Sequence, residues 1–75
     1  MNDRIEIDAD ISLGKPVIRG TRIPVELILR KLGEGASIQD LIDAHPRLME
    51  ADVRAALTYA AQTLAHEIIV LPKAS

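Results

Sequence analysis

The stretch from Gly14 to Val25, GKPVIRGTRIPV, restricts the possible folds of this chain more than any other feature. It contains a near mirror image, IRGTRI, in which two short β-prone arms flank the dipeptide Gly20-Thr21. Glycine at the first central position is typical of a type II′ hairpin turn, because only glycine adopts the required positive φ at no steric cost. The pattern therefore predicts a β-hairpin whose two-residue turn begins at Gly20.

Positive charge is concentrated in this predicted hairpin. The whole chain has a net charge of −2, yet no acidic residue occurs between Asp10 and Glu26. If the arms pair, Arg19 and Arg22 lie opposite each other, and like charges at opposite positions destabilise a strand pair. The hairpin therefore requires an anion. Three sources remain open: the chain's own Glu6 and Asp8, which would leave an ordinary solvated surface, a phosphate, or an acidic partner protein.

Chain length indicates one domain, near the lower limit for a self-sufficient core. A chain of 75 residues buries only about 60% of its unfolded surface. Cysteine is absent, and His45 and His66 are too few for a zinc site, so oligomerisation is the remaining common source of stability and a homodimer is expected. No run of roughly 18 apolar residues and no basic-then-apolar leader occurs, so a cytoplasmic setting is the default expectation.

Periodicity predicts one strand before the hairpin and a helix directly after it. Arg4–Asp8 alternates apolar and charged residues, which is typical of a half-buried strand with Ile5 and Ile7 on its inner face. Pro24 suits the first turn of a helix, where its missing N–H costs nothing, and Gly33 suits the C-terminal cap. The expected inward side chains are Val25, Ile28, Leu29 and Leu32, with Glu26 and Arg30 spaced for an ion pair.

A short second helix is predicted after the first. Ser37 and Asp40 form a variant of the capping box, and Pro46 ends the helix near His45, because the residue before proline is pushed out of the α region. Its apolar stripe consists of Ile38, Leu41 and Ile42.

A longer third helix is predicted from Met49 or Glu50 to Ala65 or Glu67. Asp52 occupies the acidic capping-box position, but Met49 stands where a capping Ser or Thr is expected. Leu48 and Val53 are spaced for a hydrophobic staple across this start. The expected inward side chains are Val53, Leu57, Ala60, Ala61, Leu64 and Ile68.

The apolar run Ile68–Leu71, closed by Pro72, fits either an extension of this helix or a strand. Exposed apolar runs are a liability in a soluble monomer, so the run is predicted to pack against a second copy or another protein.

Three helices with a short second member are also the skeleton of a helix-turn-helix domain, in which the third helix reads DNA. Glu50 and Asp52 in its first turn repel phosphates, and a sequence pI near 5.5 argues against broad affinity for nucleic acid. An exposed helix face of this composition is more often merely solvated. The candidate DNA-reading residues are Arg47, Arg54, Thr58 and Gln62.

No nucleophile with a neighbouring base and no phosphate-cradling glycine loop occurs in the sequence. We therefore expect neither an enzyme nor a cofactor or metal site. The predicted fold is a mainly α domain, with a strand and hairpin arm over 4–24, a three-helix bundle over 25–67 and a tail over 68–75.

GKPVIRGTRIPV, followed by VELILRKLGEGASIQDLIDAHPRLMEADVRAALTYAA, closely resembles the family called domain of unknown function 433. The resemblance runs from about Ile5 to Ala61 and implies a homeodomain-like helix-turn-helix fold. It also implies an antitoxin-like role, often beside a PIN-like ribonuclease toxin. Met49 departs from the family's usual Ser or Thr. The family pattern falls on Gly14, Pro16, Ile18, Gly20, Thr21, Arg22, Ile23, Pro24, Val25, Ile38, Asp40, Pro46, Asp52, Val53, Ala56, Leu57 and Tyr59.

This resemblance suggests an identity for the anion. PIN-like nucleases assemble acidic residues around a divalent metal, and a rigid guanidinium pair can enter such a site and displace the ion by bidentate pairing. The predicted inhibitory contact consists of Arg19 and Arg22, supported by Lys15 and the Gly20-Thr21 turn. The predicted antitoxin-like function includes repression of its own promoter through the helix-turn-helix. Two other functions remain open: a DNA-binding transcriptional regulator without a toxin, and a structural dimerisation module.

Overall fold

The computed structural model describes residues 3–66. Three short strands form an antiparallel sheet in the order β1-β2-β3, and three helices follow. The elements are β1 (Ile5–Glu6), β2 (Val17–Ile18), β3 (Ile23–Pro24), α1 (Val25–Gly33), α2 (Ile38–Ala44) and α3 (Glu50–Ala65), with a 3₁₀ turn at Ser12–Gly14. The prediction of a mainly helical domain with a short N-terminal strand and hairpin is confirmed. The predicted tail, including the Ile68–Leu71 run, lies outside the described residues.

None of the helices within residues 3–66 combines the length and apolar character needed to cross a bilayer.

β1 is shorter than the alternating pattern indicates. Ile5 is buried and pairs with Ile18, but Ile7 is 60% exposed, so the prediction that Ile7 faces the core is wrong. The chain turns away from the sheet because Asp8 begins a turn of its own. One carboxylate oxygen of Asp8 accepts the backbone N–H of Asp10 at 2.8 Å. Such side-chain turns compete with strand pairing.

Four residues, 19–22, join β2 and β3, rather than two. Ile18 pairs with Ile23, and the N–H of Thr21 donates to the carbonyl of Ile18 at 3.1 Å. Gly20, with φ of 82°, therefore occupies the third position of the turn, where a type II turn requires a positive φ. The type II′ prediction is wrong because Thr21 extends the loop. Its hydroxyl donates to the Ile18 carbonyl at 2.9 Å and accepts the N–H of Ile23 at 3.0 Å.

α1 begins one residue later than the preference of proline for the first helical turn predicts. Pro24 has an extended conformation with ψ of 140°, closes β3 and serves as the N-cap, so the helix starts at Val25. The prediction that Pro24 lies in the first turn is therefore wrong. The predicted ion pair between Glu26 and Arg30 is confirmed.

The end of α1 uses a later glycine than predicted. Gly33 is the last helical residue rather than the cap, and Gly35 takes the left-handed conformation with φ of 104°. The N–H of Ala36 donates to the carbonyl of Lys31 at 3.0 Å, and that of Gly35 donates to the carbonyl of Leu32 at 3.1 Å. These two bonds define a Schellman motif, which satisfies carbonyls that the helix end leaves unpaired.

The predicted capping box of α2 is confirmed. The Ser37 hydroxyl accepts the N–H of Asp40, and the Asp40 carboxylate accepts the N–H of Ser37, both at 2.9 Å. α3 begins at Glu50 with Met49 as its N-cap, and Met49 makes no capping hydrogen bond with its side chain. The Asp52 carboxylate still accepts the N–H of Met49 at 2.9 Å.

The core lies where the sheet, α1 and α2 meet the first half of α3. The predicted staple residues Leu48 and Val53 are both buried in it, and Tyr59 packs against its edge. Its members are Ile5, Ile18, Val25, Ile28, Leu41, Leu48, Val53, Ala55 and Ala56.

The buried face of α3 differs from the predicted one. Leu57 is 43% exposed and Leu64 is 58% exposed, and Ala61 is exposed as well, so their inward assignment is wrong. Ala55 and Ala56 are buried instead. Small side chains at these positions let α1, α2 and β1 pack closely on the start of the helix.

Candidate functional site

The loop between β2 and β3 presents one cation without a counter-charge. Arg22 is exposed and makes no hydrogen bond or ion pair with any of residues 3–66. Its backbone is in the left-handed region, with φ of 60°, which is uncommon for a residue other than glycine. Within the described part of the chain, the charge of this guanidinium is therefore balanced by solvent alone.

The register of β2 and β3 makes Arg19 and Arg22 the next two facing positions beyond the Ile18–Ile23 pair, as the hairpin pattern predicted, but the Arg19 side chain contacts the N-terminal segment. Its Nε donates to the backbone carbonyl of Asp3 at 2.8 Å, and its Nη1 lies 3.5 Å from a carboxylate oxygen of Glu6. Of the two own-chain acids considered as partners, Glu6 is therefore engaged, whereas Asp8 bonds to its own turn. The positive charge of Arg19 is therefore partly balanced by Glu6 of β1.

The other predicted members of this site have separate roles. The Lys15 ammonium lies 3.3 Å from a carboxylate oxygen of Glu26, so Lys15 belongs to the start of α1. Gly20 and Thr21 shape the loop through their backbone conformation and hydrogen bonds. Of the two predicted contact arginines, only Arg22 is thus available to a partner.

A second cation without a partner adjoins the same loop. Arg47, in the connection between α2 and α3, is exposed and makes no hydrogen bond or ion pair within residues 3–66. It lines a groove of about 220 Å³ together with Thr21, Ile23 and the half-buried His45. Because Thr21 and Ile23 flank Arg22 in sequence, this groove extends beside the Arg22 loop. The sequence assigned Arg47 to a DNA-reading helix instead.

The other three predicted DNA-reading residues lie together. Arg54, Thr58 and Gln62 line a groove of about 420 Å³ that Asp3 and Arg4 close on the opposite side. The guanidinium of Arg54 is not free, however. Its Nε and Nη2 both donate to one carboxylate oxygen of Glu50, at 3.0 and 2.8 Å. The Glu50 carboxylate therefore reduces the positive charge that Arg54 offers to a phosphate.

One interaction across the fold has no local signal in the sequence. Asp52 is 5% exposed, and its Oδ1 accepts a hydrogen bond from Nη1 of Arg4 at 2.9 Å, while its Oδ2 caps α3. A single buried carboxylate therefore ties β1 to the start of α3. From the sequence, Asp52 was predicted only as a helix cap, because its second partner, Arg4, is 48 positions away in the chain.

Within residues 3–66, no group of three or more His, Cys, Asp or Glu side chains is placed to hold a metal ion.

These features define a class of small, mainly helical domain in which a three-stranded sheet presents a basic loop. The chain belongs to the family described as protein of unknown function DUF433, whose family model matches residues 5–60. The resemblance stated from the sequence is thereby confirmed.

Two relatives show how much of longer proteins this chain covers. It is similar to the crystal structure of a DUF433 member protein from Anabaena variabilis ATCC 29413, with a TM-score of 0.79 and 32% identity, over 84% of this chain and 62% of that one. It is also 39% identical over 51 residues to the uncharacterized protein y4eO of Sinorhizobium fredii (strain NBRC 101917 / NGR234). That match covers 68% of this chain and 23% of y4eO, so the chain spans less than a quarter of this curated relative.

Proposed function

We propose that this protein is an antitoxin-like module that binds an acidic partner protein through the loop between β2 and β3. The observation that carries the proposal is the exposed, left-handed Arg22, whose guanidinium has no counter-charge within residues 3–66. Left-handed non-glycine residues cost free energy and cluster at binding sites. An unpaired guanidinium at such a position favours the planar, bidentate recognition of carboxylates.

The partner proposed is a PIN-like ribonuclease toxin, in keeping with the family resemblance. The metal-binding carboxylates of such a toxin supply a counter-charge for the Arg22 guanidinium. Their pairing with Arg22 competes with binding of the divalent ion. Arg47 adds a second unpaired cation beside the same loop, so it replaces Arg19 in the inhibitory contact. A toxin that cleaves RNA acts in the cytoplasm, and the proposal places this protein there as well.

The test is co-purification with the product of the adjacent reading frame, followed by a ribonuclease assay of that product. Wild-type protein is expected to bind it and suppress its activity, and Arg22→Ala is expected to lose most of both effects. Arg30→Ala is the matched control, because Arg30 is also exposed but is already paired with Glu26. Arg22→Lys should bind with intermediate affinity, because lysine keeps the charge and loses the planar fork.

Two outcomes contradict the proposal. One is full binding and full suppression by Arg22→Ala. The other is an equal loss in Arg22→Ala and Arg30→Ala, which would indicate a nonspecific charge effect.

A second candidate function is promoter binding through a homeodomain-like helix-turn-helix, formed by α2, the connection 45–49 and α3. The observation that favours it is the shared groove of Arg54, Thr58 and Gln62. A gel shift with the protein's own promoter should then weaken steeply as salt rises, because phosphate contacts release counterions. Gln62→Ala should reduce sequence preference in that assay. The absence of a gel shift at low salt would exclude this function. If the protein is instead a structural dimerisation module, neither promoter binding nor toxin binding is expected.

A further inference from the structure

An apolar groove lies between α1 and the second half of α3, away from the charged loop. It has a volume of about 280 Å³ and is lined mainly by Val25, Leu29, Tyr59, Ala60, Thr63 and Leu64. This volume is just below the roughly 300–1,000 Å³ of pockets that hold small molecules. Because nearly all of the accessible surface of its lining is apolar, the groove suits aliphatic side chains of a protein segment.

The second half of α3 is otherwise uncovered. Every residue from 61 to 66 is exposed, and Leu64 is exposed over 58% of its surface. The buried residues of this helix end at Ala56. Helices in proteins draw most of their stability from packing of an apolar face, so two turns without such packing within residues 3–66 indicate a missing neighbour.

The sequence beyond α3 supplies an apolar segment of suitable chemistry. α3 ends at Ala65, next to the groove residues Thr63 and Leu64, and Ile68–Leu71 lies a few residues further along the sequence. Chain reversals usually employ glycine, proline, asparagine or aspartate. None of these residues occurs between His66 and Pro72, so the sequence offers no typical turn residue for returning this run to its own groove.

We propose that the groove binds the Ile68–Leu71 run of a second copy of this chain, and that the protein is a two-fold symmetric homodimer. In such a dimer each copy gives its run and receives the other, so both grooves are filled by one reciprocal contact. The interface also supplies the stability that a cysteine-free chain of 75 residues lacks. This inference is independent of the partner proposed for Arg22, because the two grooves share no residue.

Sedimentation of full-length variants tests the interface. Wild-type protein should be a dimer, and Leu64→Lys and Ile69→Asp should each raise the dimer dissociation constant at least about tenfold. Leu57→Lys is the matched control, because Leu57 is an exposed leucine of the same helix outside the groove and should leave the dimer intact. Far-ultraviolet circular dichroism checks that each variant keeps its helices. A wild-type monomer, or equal effects of Leu57→Lys and Leu64→Lys, would overturn the proposal.

Disulfide trapping then separates exchange between copies from docking within one copy. The chain has no cysteine, so Thr63→Cys and Ile69→Cys can be placed on separately tagged proteins and mixed under oxidation. The proposal predicts a disulfide between the two tags. A Thr63→Cys, Ile69→Cys double variant that closes a disulfide within one chain at high dilution would show that each run fills its own groove, which contradicts the proposal.

Discussion

Arg22 combines an unfavourable backbone with an exposed charge. A left-handed conformation costs a residue with a β-carbon about 1–2 kcal/mol. Arg22 adopts this conformation, with φ of 60°. The conformation persists because the Thr21 hydroxyl bonds on both sides of the loop, to Ile18 and to Ile23. Within residues 3–66, the Arg22 side chain makes no hydrogen bond or ion pair in return, so we expect its guanidinium to bind a group outside the subunit.

Replacing Arg22 by glycine should therefore stabilise the isolated protein. Glycine adopts the left-handed region without strain but loses more entropy on folding, which leaves a net gain of about 0.5–1 kcal/mol. Urea unfolding measures this change. Arg22→Ala is the control, because alanine keeps the strain and should change stability by less than about 0.5 kcal/mol. A destabilised Arg22→Gly variant would show that the side chain makes a stabilising contact within its own fold.

Asp52 should be the most sensitive acidic position in the fold. Replacement by alanine removes the ion pair with Arg4 and the cap on Met49, and should lower the free energy of unfolding by about 2–3 kcal/mol. Glu50→Ala serves as the control, because the ion pair of Glu50 with Arg54 is exposed and contributes at most about 1 kcal/mol. If chemical denaturation shows equal losses of unfolding free energy in Asp52→Ala and Glu50→Ala, the role assigned to Asp52 is contradicted.

At the scale of elements, α3 has an incomplete N-cap that can be repaired. Met49 has the extended cap conformation, with φ of −111° and ψ of 158°, but its thioether makes no capping hydrogen bond. Met49→Ser should raise the free energy of unfolding by about 0.5–1 kcal/mol, with a higher melting temperature. Ser37→Ala, at the equivalent position of α2, should lower it by a similar amount. An unchanged Met49→Ser variant would mean that the helix begins elsewhere.

The cap of α2 gives stability a defined dependence on pH. The backbone N–H of Ser37, and then its side chain, lower the pKa of Asp40 below its ordinary value. A lowered folded-state pKa means that this contribution is present above the unfolded-state pKa and is lost as pH falls through the folded-state pKa. Asp40→Asn should therefore be less stable than wild type at neutral pH, and the difference should shrink as pH falls below about 4. A difference that is constant with pH would contradict this role.

The cap of α2 was predictable because its signal is local, whereas α1 starts one residue later than predicted and its C-terminal cap lies beyond Gly33, the predicted cap. Ser37 and Asp40 lie three residues apart, and their capping box forms as predicted. The path of Arg19 and the buried face of α3 were not predictable, because both depend on which distant elements pack against them. Arg19 turns toward β1, which is paired through Ile5 and Ile18, and no pattern within the hairpin contains that information.

For the whole molecule, two surfaces with different chemistry remain unfilled within residues 3–66. The loop of Arg22 and the neighbouring Arg47 present positive charge on a chain of net charge −2, whereas the groove between α1 and α3 is apolar. The positive charge of Arg22 and Arg47 favours an acidic partner protein, whereas the apolar groove favours binding of the Ile68–Leu71 run of a second copy. A homodimer with two separate basic loops would therefore be able to bind two partner molecules.

The most direct test of the proposed function is the dissociation constant for the co-purified PIN-like protein, measured by calorimetry for wild type, Arg22→Ala and Arg30→Ala. Hydrogen bonds to charged groups contribute about 1.5–3 kcal/mol, so Arg22→Ala should weaken binding at least roughly tenfold while Arg30→Ala leaves it unchanged. If wild type and Arg22→Ala bind with the same affinity, the unpaired guanidinium is not the contact, and the proposed function is wrong.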